Sequence, residues 1–323
     1  MKSYHLDLIR VTESGAIHAA EWVGRGEKES ADKSATDAIR ERLNKIDFVA
    51  EIAIGEGKKD ESFGLYQGEI VGNQRSVEIS GDYATGDIQE NSSGVPDYSI
   101  AIDPIEGTTP TAKGGYEAMS VIALANHGCL YQTDVFYMDK LAIGPQAAKA
   151  GLSLNKDVST NIALLSQALK KPPQHITVCV LDRPRTKPLV QELRKVGCRI
   201  KFISDCDVTA CIATCVQDSG IDMYWSVGGA PEAVIAASAM KCMRGMLQCR
   251  EVIVNNDQIA NVSDKIFELE DLVKGQCMFA ATGITDGQLL KGVRFTANGP
   301  ITHSIAMRSE SGTIRKMITE HGN

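Results

Sequence analysis

The stretch Asp103-Pro104-Ile105-Glu106-Gly107-Thr108-Thr109 decides how the rest of the chain is interpreted. The apolar run from Tyr98 to Asp103 predicts a buried strand, and the Asp-Pro pair marks its end. Two carboxylates separated by two residues on a tight turn can converge on one point, where the carbonyl between them adds a third oxygen. Hard cations such as Mg²⁺ favour oxygen ligands of this kind. Gly107 and Thr108 then offer backbone N–H groups to a phosphate, as a helix start does.

Three further acids lie at the ends of predicted elements. Glu56 stands between two glycines after a short strand, where the backbone can be closely approached. Glu232 lies in the first turn of a helix that Pro231 opens, and Asp32 lies near the start of another helix. Each acid also has a purely local explanation, namely a turn, an acid stabilised by the helix dipole and an N-cap, respectively. The residues alone leave both explanations open.

A second polar group follows two strands of the C-terminal half. Arg183 and Arg185 flank Pro184, and their fork-like donors suit a phosphate if they point into one space. A surface turn with solvated arginines explains the same residues equally well. Asp205 and Asp207 could accept hydrogen bonds from sugar hydroxyls, or could cap the helix that follows them.

Composition excludes several classes of protein. The net charge of −7 comes without a basic tract, so no nucleic-acid partner is expected. Apolar runs stay below the roughly 18–20 residues that a bilayer span needs, so no membrane partner is expected. The first residues show no signal-peptide pattern, and nine cysteines form no even set for a disulfide framework. These features predict a cytoplasmic protein.

The order of predicted elements indicates a chain of two parts. Helices fill the first residues, and Ala118 to Ala125 is a buried strand with Leu130 to Met138 as its hairpin partner. From about residue 174, strands and helices alternate. We therefore predict an N-terminal domain over residues 1–170 and a C-terminal domain over residues 171–323. The final hairpin, residues 301–323, could return to the first domain.

Taken together, the motifs resemble the class II fructose-1,6-bisphosphatases, a bacterial type that often also hydrolyses sedoheptulose-1,7-bisphosphate. The resemblance covers nearly the whole chain, and the segments that begin at Val23, Asp103 and Gly228 are specific in combination. In chain order the segments are Val23–Lys28, Ile54–Gly57 with Leu65–Tyr66, Asp103–Thr109, Leu181–Arg185, Gly228–Glu232 and Thr302–Ser304. The sequence departs from the family pattern after Glu56, at Pro110 and at Ala233. None of these departures removes a candidate ligand.

The resemblance implies the fold of the lithium-sensitive phosphatases, which include the inositol monophosphatases. This fold is an α/β sandwich of αβαβα layers, with two mixed α/β domains and the active site between them. The resemblance also implies Mg²⁺ or Mn²⁺ as cofactor. The implied metal ligands are Asp32, Glu56, Asp103, the carbonyl of Ile105, Glu106 and Glu232. Thr108, with Asp32 or Glu56, would activate the attacking water. The implied substrate contacts are Lys28, Glu106, Gly107, Thr108, Tyr137, Arg183, Arg185, Asp205, Asp207 and Gly229.

The expected reaction is metal-dependent hydrolysis of the 1-phosphate of fructose 1,6-bisphosphate, in gluconeogenesis or Calvin-type sugar phosphate metabolism. A sedoheptulose bisphosphate is the expected second substrate, and a homodimer or homotetramer is the expected assembly. Two alternatives stay open at this stage. One is a phosphatase of the same fold that acts on inositol phosphates or nucleotide 3′-phosphates. The other is a non-catalytic phosphosugar sensor that keeps the arginines but does not need the carboxylates.

Overall fold

The structure is a computed structural model that describes residues 2–55, 57, 63–73 and 95–322. Its helices are His5–Ala20 (α1), Lys28–Leu43 (α2), Thr108–Lys113 (α3), Val158–Leu169 (α4), Lys187–Val196 (α5), Asp207–Ala213 (α6), Ala230–Cys242 (α7) and Leu269–Leu272 (α8). Its strands are Ala50–Ile54 (β1), Ile70–Val71 (β2), Tyr98–Glu106 (β3), Met119–Asn126 (β4), Tyr137–Ile143 (β5), Thr177–Leu181 (β6), Arg199–Ile203 (β7), Met223–Gly229 (β8), Met246–Asn255 (β9), Gln258–Val262 (β10), Cys277–Gly283 (β11), Arg294–Thr296 (β12), Gly299–Arg308 (β13) and Thr313–Glu320 (β14). The alternation of strands and helices predicted after residue 174 is confirmed as far as α7.

The described strands form two mixed sheets. The larger has eight strands in the order β12-β13-β11-β4-β3-β1-β2, with β14 paired to β13. The smaller has six strands in the order β10-β9-β5-β8-β6-β7. In the larger sheet β1 and β3 are parallel, and in the smaller sheet β6 is parallel to both β7 and β8. The central strand β3 therefore ends beside β1, which carries the second predicted acidic turn at its own end.

Strand β4 shows why the chain folds into layers. Val121 and Ala123 belong to the core between the two sheets, whereas Ile122 and Leu124 pack with α1 and α2 on the opposite face. Alternate residues of a strand point to opposite faces, so a strand covered on both sides must be apolar throughout. The run from residue 118 to residue 125 is apolar except for Ser120, as this double coverage requires.

Helices complete the sandwich on three levels. α1 and α2 cover the outer face of the larger sheet through Leu8, Ile9 and Ile39. α4 and α5 cover the outer face of the smaller sheet through residues such as Ile162 and Leu193. α6 and α7 lie between the sheets and share one core with both. The layers run helix, sheet, helix, sheet, helix, so the predicted αβαβα arrangement is confirmed.

Helix α7 is the central element of the inner layer. Ala233, Ala236 and Ala237 are buried along it, and their small side chains let both sheets approach the helix closely. Pro231 occupies the first turn, where its missing N–H costs no hydrogen bond. Glu232 therefore projects from the beginning of a helix that two sheets hold in place.

The predicted hairpin between β4 and the segment Leu130 to Met138 is wrong. β4 pairs with β3 and β11, whereas β5 begins at Tyr137 in the other sheet. Asn126, His127 and Gly128 do form a turn, but the chain then crosses to the smaller sheet, and Leu130 bridges to Val273 on the way. A turn signal reports only the local reversal of the chain and not the strand that follows it.

The two sheets divide the chain differently from the predicted domains. β5 precedes residue 170 and lies in the smaller sheet, while β11 to β14 return to the larger one. The final hairpin, β13 with β14, thus belongs to the larger sheet. The division into domains at residue 170 stays a prediction. Within the described residues, no helix has the length and apolar character needed to cross a membrane.

Replacement of Ile122 by alanine tests the outer layer. Ile122 is fully buried between β4 and the helices above it, so Ile122→Ala leaves a cavity that costs about 2–5 kcal/mol of unfolding free energy. Ile318→Ala is the matched control, because Ile318 is 69% exposed on β14 and its loss should cost under about 0.5 kcal/mol. Urea unfolding monitored by circular dichroism measures both. Equal midpoints for the two variants would contradict this packing.

Candidate active site

Two carboxylates converge where β3 loses its regular pairing. The register between β3 and β4 shifts between Asp103 and Glu106. In a regular strand, residues three positions apart point to opposite faces, and this irregularity lets both side chains reach the same side. The backbone N–H of Ile105 donates to the Asp103 carboxylate at 2.9 Å, which secures the turn locally. The convergence predicted for this stretch is therefore present.

Glu232 of α7 supplies a third carboxylate to the same place. One oxygen each of Asp103, Glu106 and Glu232 lies within 4.8 Å of the other two. Oε2 of Glu232 is buried without a hydrogen-bond partner among the described groups. Glu232 folds back over Gly229, where any Cβ would collide with the carboxylate. Three hard oxygen donors, one of them buried and unsatisfied, fit a divalent cation.

The charges of this cluster oppose one another. Burial raises the pKa of Glu106 well above its usual value, and the neighbouring Asp207, Asp103 and Glu232 raise it further. Burial, followed by Asp207, also raises the pKa of Glu232. A divalent cation among these groups would remove the repulsion and favour the ionised carboxylates.

Asp32 and Thr108 form a second polar pair beside the cluster. Asp32 lies inside α2, whose N-cap position is Glu27, so the local explanation of Asp32 as an N-cap is wrong. Thr108 is the first residue of α3, and its hydroxyl lies 3.4 Å from both Oδ1 of Asp32 and the carbonyl of Ile105. Burial raises the pKa of Asp32 to about 6. The pair thus places a hydroxyl against a carboxyl group that changes charge close to neutral pH.

Gly107 makes the turn between β3 and α3 possible. Its φ of +100° lies in the region that favours glycine, and a Cβ there would stand 2.5 Å from Sγ of Cys206. Any larger residue would strain the backbone between the carboxylates of β3 and Thr108.

These groups open into one cavity of about 340 Å³. Its floor is formed by β3 and the start of α3, and its side by the start of α7. The described lining residues are Gly55, Ile102, Asp103, Ile105, Glu106, Gly107, Thr108, Thr109, Asp205, Pro231, Glu232 and Ile235. Gly55 ends the segment before Glu56, and the predicted ligand Glu56 itself lies outside the described residues.

Of the other predicted substrate contacts, Asp205 lines this cavity, whereas Lys28 and Asp207 are not among its described lining residues. Lys28, the first residue of α2, donates from Nζ to the Thr109 hydroxyl at 2.8 Å. Asp205 faces the cavity, and burial raises the pKa of its carboxyl group. Asp207 is buried and accepts hydrogen bonds from Lys140 at 2.5 Å and Tyr224 at 3.2 Å.

The two predicted phosphate-binding arginines have different partners. Arg183 donates to the backbone carbonyls of Asp182 and Ser204 at 3.0 and 2.6 Å. Arg185 donates to the Val227 carbonyl at 3.0 Å and forms an ion pair with Asp257, with its guanidinium over the Tyr137 ring. The two guanidinium groups thus have different partners, and the charge of Arg185 is paired with that of Asp257. Their roles in phosphate binding stay predictions.

Residues 2–321 match the model of a family described as bacterial fructose-1,6-bisphosphatase, glpX-encoded. The chain belongs to this family. It is similar to a "D-fructose 1,6-bisphosphatase class 2/sedoheptulose 1,7-bisphosphatase" of Microcystis aeruginosa, at 37% identity over 98% of this chain and 95% of the relative. A protein of the same description from Synechococcus elongatus is 36% identical, over 99% of this chain and 96% of the relative.

The family makes the chain a phosphatase with a divalent-metal requirement, which the cluster of Asp103, Glu106 and Glu232 fits. The predicted resemblance to class II fructose-1,6-bisphosphatases is confirmed, as is the prediction of an enzyme. The specific metal and the roles of individual residues stay predictions.

Two charged residues of this bisphosphatase are not predicted from the sequence. Lys140 is fully buried in β5, and Asp257 lies in the turn between β9 and β10, where it pairs with Arg185. Asn256 and Asp257 both have positive φ, which is typical of a two-residue hairpin turn. Two adjacent charges, Asp139 and Lys140, within a mostly apolar strand were the available signal for Lys140. For Asp257 the sequence holds no such signal, because its partner is distant in the chain.

Metal binding should stabilise the phosphatase more at high pH than at low pH. The pKa of Asp32 is raised to about 6, and that of Glu106 is also raised, so the metal-free folded state binds protons more tightly than the unfolded state. These two carboxyl groups therefore lower the unfolding free energy of the metal-free protein as the pH rises from about 4 through 6. A metal at 100 times its Kd adds about 2.7 kcal/mol. We expect a larger increase in Tm with Mn²⁺ at pH 8 than at pH 5.5, measured by calorimetry.

Glu232→Gln is the matched variant for this experiment. It removes one carboxylate charge from the cluster and keeps the size of the side chain. The metal-free variant should melt above the metal-free wild type at pH 8, and Mn²⁺ should raise its Tm less. An increase in Tm that is independent of pH and of Glu232 would contradict the proposed cation site.

Proposed function

We propose that this bisphosphatase hydrolyses the 1-phosphate of fructose 1,6-bisphosphate to give fructose 6-phosphate and phosphate. One observation carries the proposal, namely the convergence of Asp103, Glu106 and Glu232 in a cavity that also holds Thr108. A carboxylate cluster alone would repel a phosphate ester, so it suits this substrate only with cations bound. Family membership supports the same substrate class.

We infer that the cations are Mg²⁺ or Mn²⁺, since the donor set consists of hard oxygens. Asp103, Glu106, Glu232 and the carbonyl of Ile105 would hold them, with Asp32 and the undescribed Glu56 as further ligands. When bound, such ions lower the pKa of a water molecule and offset the negative charge of the phosphoryl group. The buried, unpartnered oxygen of Glu232 supports this assignment.

Thr108 and Asp32 would prepare the water that attacks phosphorus. The Thr108 hydroxyl can donate to Asp32 or to the Ile105 carbonyl, which leaves its lone pairs to accept a hydrogen bond from water. Its position therefore orients the water toward the ester. Asp32 is the group that could take up the proton of this water, because the Thr108 hydroxyl connects it with the position of the water. The water oxygen would form the new bond to phosphorus while the bond from phosphorus to the sugar oxygen breaks, and the sugar oxygen would take up a proton and leave as the alcohol. Direct attack of this kind needs no covalent intermediate.

The phosphate that is not hydrolysed would lie near two cations beside the cavity, Lys28 and Arg183. Lys28 and Arg183 are the cations whose partners there are neutral oxygens, so their charges can still attract a second phosphate. Asp205 would accept hydrogen bonds from sugar hydroxyls, and Tyr137, Arg185, Asp207 and Gly229 would complete the substrate contacts. Activity on sedoheptulose 1,7-bisphosphate is proposed as well, supported by the descriptions of the two relatives. A homodimer or homotetramer and a cytoplasmic location stay predictions.

A phosphate-release panel tests this function directly. The purified protein is offered fructose 1,6-bisphosphate, sedoheptulose 1,7-bisphosphate, fructose 6-phosphate, inositol 1-phosphate and adenosine 3′-phosphate, with Mg²⁺, with Mn²⁺ and after chelation. We expect release from the two bisphosphates only, and none after chelation. Glu232→Gln serves as the inactive control with the same fold. Faster release from inositol 1-phosphate or the nucleotide would refute the proposed substrate, and no release from any ester would favour a sensor.

Substitutions of Thr108 test the activation of water. Thr108→Ser keeps the hydroxyl and should retain much of the kcat, whereas Thr108→Val keeps the shape and should lose about 10²–10⁴-fold. If Thr108 served only to begin α3, the valine variant would lose about 0.5–2 kcal/mol of stability and little rate. Both kcat at saturating metal and Tm are measured. A valine variant slowed only a few-fold, with a lowered Tm, would assign the hydroxyl a structural role.

A further inference from the structure

A lysine is fully buried in the strand that faces the inner layer. Lys140 lies in β5 between Met138 and Ala142, both of which belong to the core between the sheets. Strand alternation therefore places Lys140 at a position where an apolar residue is expected. A buried ammonium group costs several kcal/mol unless it is paired and hydrogen-bonded, so its partners must compensate for its burial.

The Lys140 ammonium group connects two helix starts. It donates to Oδ2 of Asp207, the first residue of α6, at 2.5 Å. It also donates to the carbonyl of Gly229, the N-cap residue of α7, at 2.7 Å. One side chain from the smaller sheet therefore joins the beginnings of both inner helices.

Each partner of Lys140 lies next to a carboxylate of the cluster. The residue after Asp207 is Val208, whose backbone N–H donates to Oε1 of Glu106 at 3.0 Å. Gly229 lies beneath the Glu232 carboxylate, so close that a Cβ at this position would collide with it. Lys140 thus contacts neither Glu106 nor Glu232, but holds the backbone that orients both of them.

We propose that Lys140 is a positioning residue for the metal site, which joins the starts of α6 and α7 so that Glu106 and Glu232 converge. This inference rests on the proposed function insofar as that function assigns cations to the carboxylate cluster. It adds to the metal site a residue of β5, a strand that contains no predicted metal ligand.

The electrostatic and positioning effects of Lys140 have opposite signs. A fixed positive charge near the cluster repels a divalent cation, so its removal alone would tighten metal binding. Loss of the hydrogen bonds that join α6 and α7 through Lys140 would make the positions of Glu106 and Glu232 less fixed and would weaken metal binding. Groups that orient metal ligands typically contribute about 10–100-fold to metal affinity. The sign of the change in affinity therefore distinguishes a positioning residue from a mere countercharge.

Two substitutions distinguish the hydrogen bonds of the Lys140 ammonium group from the packing of its side chain. Lys140→Met removes the ammonium group and matches the neighbouring Met138 in type. Lys140→Gln removes the charge but keeps an amide donor for the Gly229 carbonyl, and so provides a milder variant if the methionine variant is unstable. Asp139→Asn is the matched control, because Asp139 is the adjacent buried charge on β5 and pairs with Arg250 away from the cluster.

The readout is Mn²⁺ binding to substrate-free protein, measured as free Mn²⁺ by electron paramagnetic resonance, with folding checked by circular dichroism. We expect the Kd for Mn²⁺ to rise about 10–100-fold in Lys140→Met and less in Lys140→Gln. Asp139→Asn should leave it within threefold of wild type.

Three outcomes would overturn the proposal. Tighter or unchanged Mn²⁺ binding in both Lys140 variants would make the lysine a countercharge or a packing element. Equal weakening in Asp139→Asn would show a general effect of disturbing β5. Failure of both Lys140 variants to fold would assign the lysine to the fold as a whole. Because binding is measured without substrate, a failure of the proposed substrate leaves this test intact.

Discussion

The mutual repulsion of buried carboxylates at the end of β3 is the constraint on which the rest of the structure depends. Glu106 is buried beside Asp103, Glu232 and Asp207, and these neighbours raise its pKa in addition to the effect of burial. Such an arrangement opposes folding unless cations or fixed dipoles offset it. The family requires a divalent metal, and a cation bound among these carboxylates would offset their repulsion.

The layers of the fold supply this organisation. β3 brings two acids from the larger sheet, and α7 brings a third from the layer between the sheets. The backbone N–H of Val208 at the start of α6 holds Glu106, and the first turn of α7 carries Glu232, whose charge the helix dipole favours there. The site thus lies where the larger sheet meets the inner helix layer, and it depends on the packing of small alanine side chains that allows the sheets to approach α7.

Much of this could be predicted from local patterns. The Asp103–Thr109 stretch, the strand before it and the helix opened by Pro231 all depend on neighbouring residues, so they were predicted at nearly their observed positions. The hairpin partner of β4 was predicted wrongly, since the choice of partner depends on distant strands. Lys140 and Asp257 were missed for the same reason, because their importance comes from contacts with residues 67 and 72 positions away in the chain.

The sequence by itself determined many of the elements, the acidic turn and the chemical class of the site, because periodicity, turn residues and the spacing of carboxylates act over a few residues. It also carried the family resemblance, which the comparisons confirm. Only the tertiary structure decided which acids meet, that Arg185 is paired with Asp257, and that Lys140 joins two helix starts. Burial, pairing and pKa values depend on which surfaces pack together, and that packing is a property of the whole chain.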